Sequence, residues 1–285
     1  MIYTIKNEFL AVEISSSGAE ILSIKTLGDG KDYVWDGKEL WFKHAPLLFP
    51  ICGAITEPYT YRGKEYHMEK HGFLWKYEFT LESIDDSSVV LSARENEATL
   101  AQYPFSFEFT ARYTLDGKRL VSDYTVKNTS AEAMPYMFGL HPALRLHGDA
   151  PKESFFIDFG EELTAGQNDI TGGTIMQTPH DRVIPDGKLH ITNEIYDFDT
   201  IILSRIPKRV NLVSPYGKVL GMTWSDKFNY LCVWKHPDDA ARFICIEPWT
   251  HIPSERKSTD DLDKKSAYRL GAGECDEYSY TIDFT

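Results

Sequence analysis

Positive charge is what this 285-residue chain has too little of: 30 Lys and Arg stand against 43 Asp and Glu, a net charge of −13. Nucleic acids and anionic membranes are bound through clustered Lys and Arg, so neither is expected as a partner. Cysteine is sparse as well. Cys52, Cys232, Cys245 and Cys275 are scattered, with no C-x-x-C pair and no small-domain disulfide framework. They read as reduced thiols, three of them in or beside apolar strands, and the expected location is cytoplasmic. Met1 to Lys6 lack a basic region followed by an apolar signal core, and no apolar run approaches the length of a membrane span. Several catalytic signatures are missing too: H-E-x-x-H, ligand-spaced Cys clusters, G-x-G-x-x-G, a Walker-type loop and G-x-S-x-G. No metal site and no cofactor is expected.

Amphipathic helices are nearly absent; only Glu95 to Gln102 carries a short helical pattern, closed by Tyr103-Pro104. What is present instead is alternation. Phe105, Phe107, Phe109, Ala111, Tyr113 and Leu115 interleave with polar residues, Asp116-Gly117 signals a hairpin, and Leu120 to Lys127 returns. Tyr59 to Tyr61 and Glu65 to His67 read as a second hairpin around Arg62-Gly63-Lys64. Phe73 to Ile84, Val89 to Ala93, Arg209 to Val213, Val219 to Trp224 and Tyr278 to Phe284 read as further strands. This pattern predicts an all-β protein, a large antiparallel sandwich with few short helices, in one domain spanning 1–285.

The chemistry centres on Arg242-Phe243-Ile244-Cys245-Ile246-Glu247-Pro248-Trp249, an apolar strand that runs up to one carboxylate. Pro248 has no N–H to give and is expected to end the strand, leaving Glu247 at the mouth of a core, half withdrawn from water. Burial raises a carboxylate's pKa and suits a general base near neutral pH. A Glu paired with a surface Lys or Arg is the plainer reading of that residue alone. Of nine His residues, His71 lies in Lys70-His71-Gly72-Phe73-Leu74-Trp75, where Gly72 permits close approach to the imidazole. His141 lies in an almost wholly apolar run, Tyr136 to Leu144, and is the natural proton carrier at neutral pH. For either His, a satisfied structural role stays open beside catalysis.

Four blocks in order carry a resemblance: Lys43-His44-Ala45-Pro46-Leu47-Leu48-Phe49-Pro50, Lys70-His71-Gly72-Phe73, Gly139-Leu140-His141-Pro142-Ala143 and Cys245-Ile246-Glu247-Pro248-Trp249. Together they resemble the aldose 1-epimerase (galactose mutarotase-like) superfamily, with the short blocks closest to its LacX-like branch. The resemblance implies a β-sandwich whose concave face holds a sugar, and interconversion of α and β anomers by ring opening and reclosure. It assigns Glu247 as general base, His141 as general acid, and His71 as the histidine that holds the sugar near its ring oxygen. Asp199 matches the acidic residue that binds sugar hydroxyls, with Asp197 close enough to compete. Trp249, Trp75, Trp41 and Phe73 are candidates to stack on the sugar ring, or else core aromatics.

One position departs from the pattern. Members of the family it resembles usually carry Arg after the Gly that follows the Leu-Phe-Pro block, whereas this chain reads Cys52-Gly53-Ala54. A forked cationic donor is thereby lost, and Lys43, Arg62 or Arg145 is expected to reach the same space. The expected partner is a small-molecule sugar, and the expected state a monomer or weak homodimer. A non-catalytic sugar-binding protein on the same fold, and a mutarotase for phosphorylated sugars, remain as alternatives.

Overall fold

Along Phe107–Asp116 every second side chain is buried, and the Gly117 turn sends Arg119–Asn128 back in antiparallel register, from Leu120 opposite Leu115 to Asn128 opposite Phe107. The hairpin forms because period-2 patterning puts Phe107, Phe109, Ala111, Tyr113 and Leu115 on one face of a pleated strand. Gly117 adopts a φ of +57° that its neighbours would resist. The computed structural model describes residues 1–55, 58–175, 179–192, 200–238, 240–254, 261–265 and 267–285.

Around this hairpin a nine-stranded antiparallel sheet is ordered Lys188–His190, Phe156–Asp158, Arg209–Ser214, Gly217–Trp224, Cys275–Asp283, Arg119–Asn128, Phe107–Asp116, Ser88–Arg94 and Thr80–Ile84. A second nine-stranded sheet runs Thr174–Ile175, Leu163–Thr171, Thr200–Ser204, Tyr230–Trp234, Phe243–Trp249, Gly139–Leu140 and Leu47–Leu48. Ala143–Arg145 pairs with its Phe243–Trp249 strand, and His180–Ile184 with Leu163–Thr171. Phe138 bridges the two sheets, its ring centroid 5.3 Å from Phe109, 5.2 Å from Tyr124 and 5.1 Å from Tyr278. The architecture is therefore the all-β antiparallel sandwich that the alternation predicts. Among the described residues no helix is long and apolar enough to cross a membrane.

Local departures from the sequence reading have physical causes. Phe73 to Ile84 is not one strand: Leu74–Lys76 is a 3₁₀ turn, Glu78 makes a single bridge to Ser17, and the strand itself begins at Thr80. Gly72, Phe73 and Leu74 are buried in succession, which a pleated strand with one wet face does not permit. The predicted helix is shorter, Glu97–Gln102, because Asn96 acts as its N-cap and accepts from the Thr99 amide at 2.9 Å. Pro248 does not end its strand; pairing runs through it to Trp249 opposite Tyr230. Thr250, of the same parity, donates its amide to Phe138. Position 248 therefore looks toward the break between Gly139–Leu140 and Ala143–Arg145, where no ladder bond is lost.

Phe49 sits at the junction of these parts. It is fully buried, its ring packs within 5.1 Å of Phe107 and 5.7 Å of Phe109, and its carbonyl accepts from the Phe73 amide at 3.1 Å. Phe49→Ala is expected to cost about 3–5 kcal/mol, the range for deleting a buried aromatic, measured as a lowered urea midpoint; a loss below about 1 kcal/mol would mean the site collapses without a cavity.

Candidate active site

Strand Phe243–Trp249 is buried from end to end because it has no wet face. Ile244 and Ile246 join the main core between the sheets, while Phe243, Cys245, Glu247 and Trp249 point the other way. Register then decides which groups meet on that second face. On one side Tyr230 stands opposite Trp249, Cys232 opposite Glu247 and Trp234 opposite Cys245. On the other, Gly139 is opposite Trp249 and Ala143 is opposite Cys245. His141, midway between those two, therefore comes level with Glu247. Its Nε2 lies 3.4 Å from Glu247 Oε2. The two stand side by side.

They form the floor of a cavity of about 310 Å³. Its described lining holds His71, His141 and Glu247, four tryptophans (Trp41, Trp75, Trp234, Trp249) and two lysines, Lys43 and Lys70. Trp41 stacks on the His141 ring at 5.3 Å with an interplanar angle of 28°, which fixes the imidazole plane. Trp249 meets His71 edge-on at 5.8 Å.

His71 is held by backbone alone. Its φ is +69° and that of Gly72 is +71°, and a Cβ on Gly72 would overlap the Phe49 carbonyl. The His71 amide donates to the Gly53 carbonyl at 2.7 Å, and the Gly53 amide donates back to His71 Nδ1 at 3.1 Å. An amide is always a donor, so Nδ1 is bare and the imidazole hydrogen is on Nε2. His71 is thus a fixed neutral donor.

Glu247 is not half withdrawn, as its strand-end position implied, but fully buried, and neither carboxyl oxygen has a hydrogen-bond partner of good geometry among the described residues. Burial pushes its pKa well above the carboxylate range; the charge of Lys70 and the nearby Cys232 thiol and Trp249 indole act in the other direction. Burial pushes His141 and His71 below the ordinary imidazole value. Desolvation thus favours the neutral form of each partner of the pair. Thr200 Oγ1 donates to the Val233 carbonyl at 2.6 Å and lies 3.3 Å from Cys232 Sγ, holding that neighbour of Glu247 in place. Lys43 Nζ lies 2.8 Å from the centroid of the Trp75 ring, and burial brings its pKa down to about 8.

The structure brings together His71, His141, Glu247, Trp249, Lys43, Trp41 and Trp75. Arg62 is not with them: it is exposed and pairs with Glu132 at 2.7 Å on a hairpin tip. Arg145 is likewise engaged elsewhere, with Asp36 at 3.5 Å and the Val34 carbonyl. Phe73 is core, between Phe49, Tyr103 and Phe107. Asp197 and Asp199 lie outside the described residues. The sequence reading missed Lys70 and Trp234. A Cβ on Gly173 would lie 3.1 Å from Ala54 Cβ and 3.2 Å from Lys70 Cε, so Lys70 is the cation that borders the Ala54 position.

The family model for aldose 1-epimerase matches residues 1–254. The chain belongs to the aldose 1-epimerase family. It is 32% identical over 280 residues to the plasmid and chromosomal LacX proteins of Lactococcus lactis subsp. lactis, covering 93% of this chain and 93% of each relative. A galactose mutarotase related enzyme from Lactobacillus acidophilus superposes with a TM-score of 0.91 at 29% identity, over 100% of this chain and 97% of that one. A galactose mutarotase-like protein from Lactobacillus casei gives 0.90 at 28% identity, over 99% of each.

A raised carboxyl pKa has a stability consequence. Glu247 holds its proton in the folded chain at pH values where the unfolded chain has lost it, so its contribution to stability falls as pH rises above about 4.5. Glu247→Gln has no proton to lose. Its stability relative to the wild type is expected to increase steadily from acid to alkaline pH, read from urea unfolding at several pH values; parallel pH curves would mean that the carboxylate is not penalised by burial.

Proposed function

We propose that this protein is an aldose 1-epimerase that interconverts the α and β anomers of a sugar by acid–base ring opening. The observation that carries the reading is the His141–Glu247 pair, 3.4 Å apart on the floor of a tryptophan-walled cavity. The reaction asks for one proton removed from the anomeric hydroxyl and one delivered to the ring oxygen. Both oxygens are bonded to the same carbon, so a base and an acid in contact reach them together. A bound sugar supplies the hydrogen bonds that Glu247 lacks and draws the shared proton onto His141. Glu247, then a carboxylate, takes the hydroxyl proton as His141 protonates the ring oxygen. His71, with its hydrogen on Nε2, steadies that ring oxygen as a donor. The ring opens to the aldehyde, the C1–C2 bond turns, and closure with the two roles exchanged gives the other anomer. Tryptophan faces suit the apolar face of a pyranose. The name of the Lactobacillus acidophilus relative agrees with this chemistry.

Glu247→Gln is expected to abolish anomer interconversion while keeping sugar affinity within about tenfold, and His141→Asn to slow it by roughly two orders of magnitude. Polarimetry of freshly dissolved α-glucose and α-galactose, with affinity measured separately by calorimetry, checks both. Wild-type rates in either variant would remove that residue from the chemistry.

A second reading concerns the sugar itself. Lys43 and Lys70 line the cavity, and neither forms an ion pair among the described residues, in a chain of net charge −13. Two unpaired cations at the site favour a phosphorylated aldose, held at its phosphate away from the reacting carbon. Lys43→Met and Lys70→Met are then expected to raise KM for an aldose 6-phosphate about tenfold or more, since a charge-assisted hydrogen bond contributes about 1.5–3 kcal/mol. The KM for the free aldose should stay nearly constant. Equal losses on both substrates would point to uncharged-sugar binding instead.

A further inference from the structure

Beside the acid–base pair lies a third group that the ring-opening chemistry does not use. Cys245 is two residues before Glu247 on the same face of the strand, opposite Ala143 on one side and Trp234 on the other. It is fully buried among Ala143, Ala241 and Phe243 and is not part of the described cavity lining. One ligand atom from each of His141, Cys245 and Glu247 lies within 4.8 Å of the other two. We infer that the floor of this cavity is a binding site for a soft divalent cation, zinc foremost, which competes with the sugar for His141 and Glu247.

The chemistry of the donors selects the ion. A thiolate, an imidazole and a carboxylate are the nitrogen, sulfur and oxygen ligands that zinc accepts, and three of them leave a fourth position for water. Magnesium and calcium require more oxygen ligands than this floor supplies. Two ligands on one tetrahedral zinc, with bonds of about 2.0–2.3 Å, stand roughly 3.3–3.6 Å apart. His141 Nε2 and Glu247 Oε2, at 3.4 Å, already have that spacing. The Cys245 sulfur, within 4.8 Å of both, has to close to the same spacing to complete the set. Glu247 is also the one carboxyl of the group, fully buried and with neither oxygen in a hydrogen bond of good geometry among the described residues, so its lone pairs are open to an ion. As the zinc–sulfur and zinc–oxygen bonds form, the thiol and carboxyl protons leave to solvent, and His141 binds as the neutral imidazole. The ion is not a cofactor for the ring opening: while bound, it holds both the base and the acid, and interconversion stops until it leaves. Sequence spacing conceals the set, because His141 comes from a distant segment and Cys-x-Glu alone matches no ligand pattern.

The test uses the full-length protein with Cd²⁺ and Zn²⁺. Cd²⁺ titrated into reduced wild-type protein is expected to produce a thiolate-to-metal absorption band at a stoichiometry of one. Cys245→Ser, which keeps the shape of the buried side chain, should lose the band, while Cys275→Ser, a change at the exposed cysteine, should keep it. Zn²⁺ is expected to inhibit wild-type interconversion in competition with sugar. Cys245→Ser should leave the uninhibited rate unchanged and raise the half-inhibitory Zn²⁺ concentration by at least about tenfold, the lower end of what losing even an outer partner of a zinc ligand costs. No band in the wild type, or a band that survives in Cys245→Ser, would overturn the assignment. The absorption result stands whether or not the protein turns over any given sugar. Should Cys245→Ser fold poorly, Cys245→Ala with the same two readouts decides between the same outcomes.

Discussion

A carboxyl group held away from water with no hydrogen bond of good geometry to either oxygen is the constraint around which this molecule is built. Desolvation of Glu247 is unfavourable for its charged form, and nothing in the described surroundings fully offsets it. Each feature of the cavity follows from tolerating that carboxyl. Strand Phe243–Trp249 has to be covered on both faces, so a sandwich core lies beneath Ile244 and Ile246 and a tryptophan wall stands above. The ladder has to break opposite Glu247, so that a side chain from the neighbouring segment can come level with it. Gly139–Leu140 and Ala143–Arg145 leave that gap, His141 fills it, and a proline is accommodated at position 248 for the same reason.

Much of this was legible in the sequence because sheet structure writes itself with period 2. Phe107 to Leu115 and the Asp116-Gly117 turn gave their strand and hairpin almost to the residue, since one face of that sheet is wet and the other dry. The Glu247 strand was recognisable as buried, yet its depth was not. Apolar runs covered on both faces show no alternation, and the position of Pro248 suggested a mouth where there is a floor. Phe73 and Leu74 misled for the opposite reason: aromatic and aliphatic residues in succession read as strand, while left-handed backbone at His71 and Gly72 had already turned the chain.

Of the cavity lining, the groups legible in the sequence were those inside short blocks of distinctive composition: His71, His141, Glu247, Trp249 and Lys43. Cations were harder to place, because the reach of a lysine or arginine depends on folding rather than on neighbours in sequence. Arg62 and Arg145 were as plausible as Lys70 until the sheet order fixed Arg62 to Glu132, Arg145 to Asp36, and Lys70 beside Ala54. Cys245 and Cys232 were visible as buried thiols. That they flank Glu247, one along its own strand and one across the ladder, is a fact of register, which a single sequence does not display.

The reciprocal bonds between His71 and Gly53 have one more effect. An imidazole becomes cationic by gaining a proton on its bare nitrogen, and here that nitrogen already faces an amide hydrogen. Protonation there would set two N–H groups against each other and break the loop contact that positions the ring. His71 is therefore electrically silent. Of the two histidines lining the cavity, His71 is held toward its neutral form by the main chain, so a fall in pH is opposed from setting a second imidazolium beside His141. The backbone thus fixes the site's proton inventory as well as its shape.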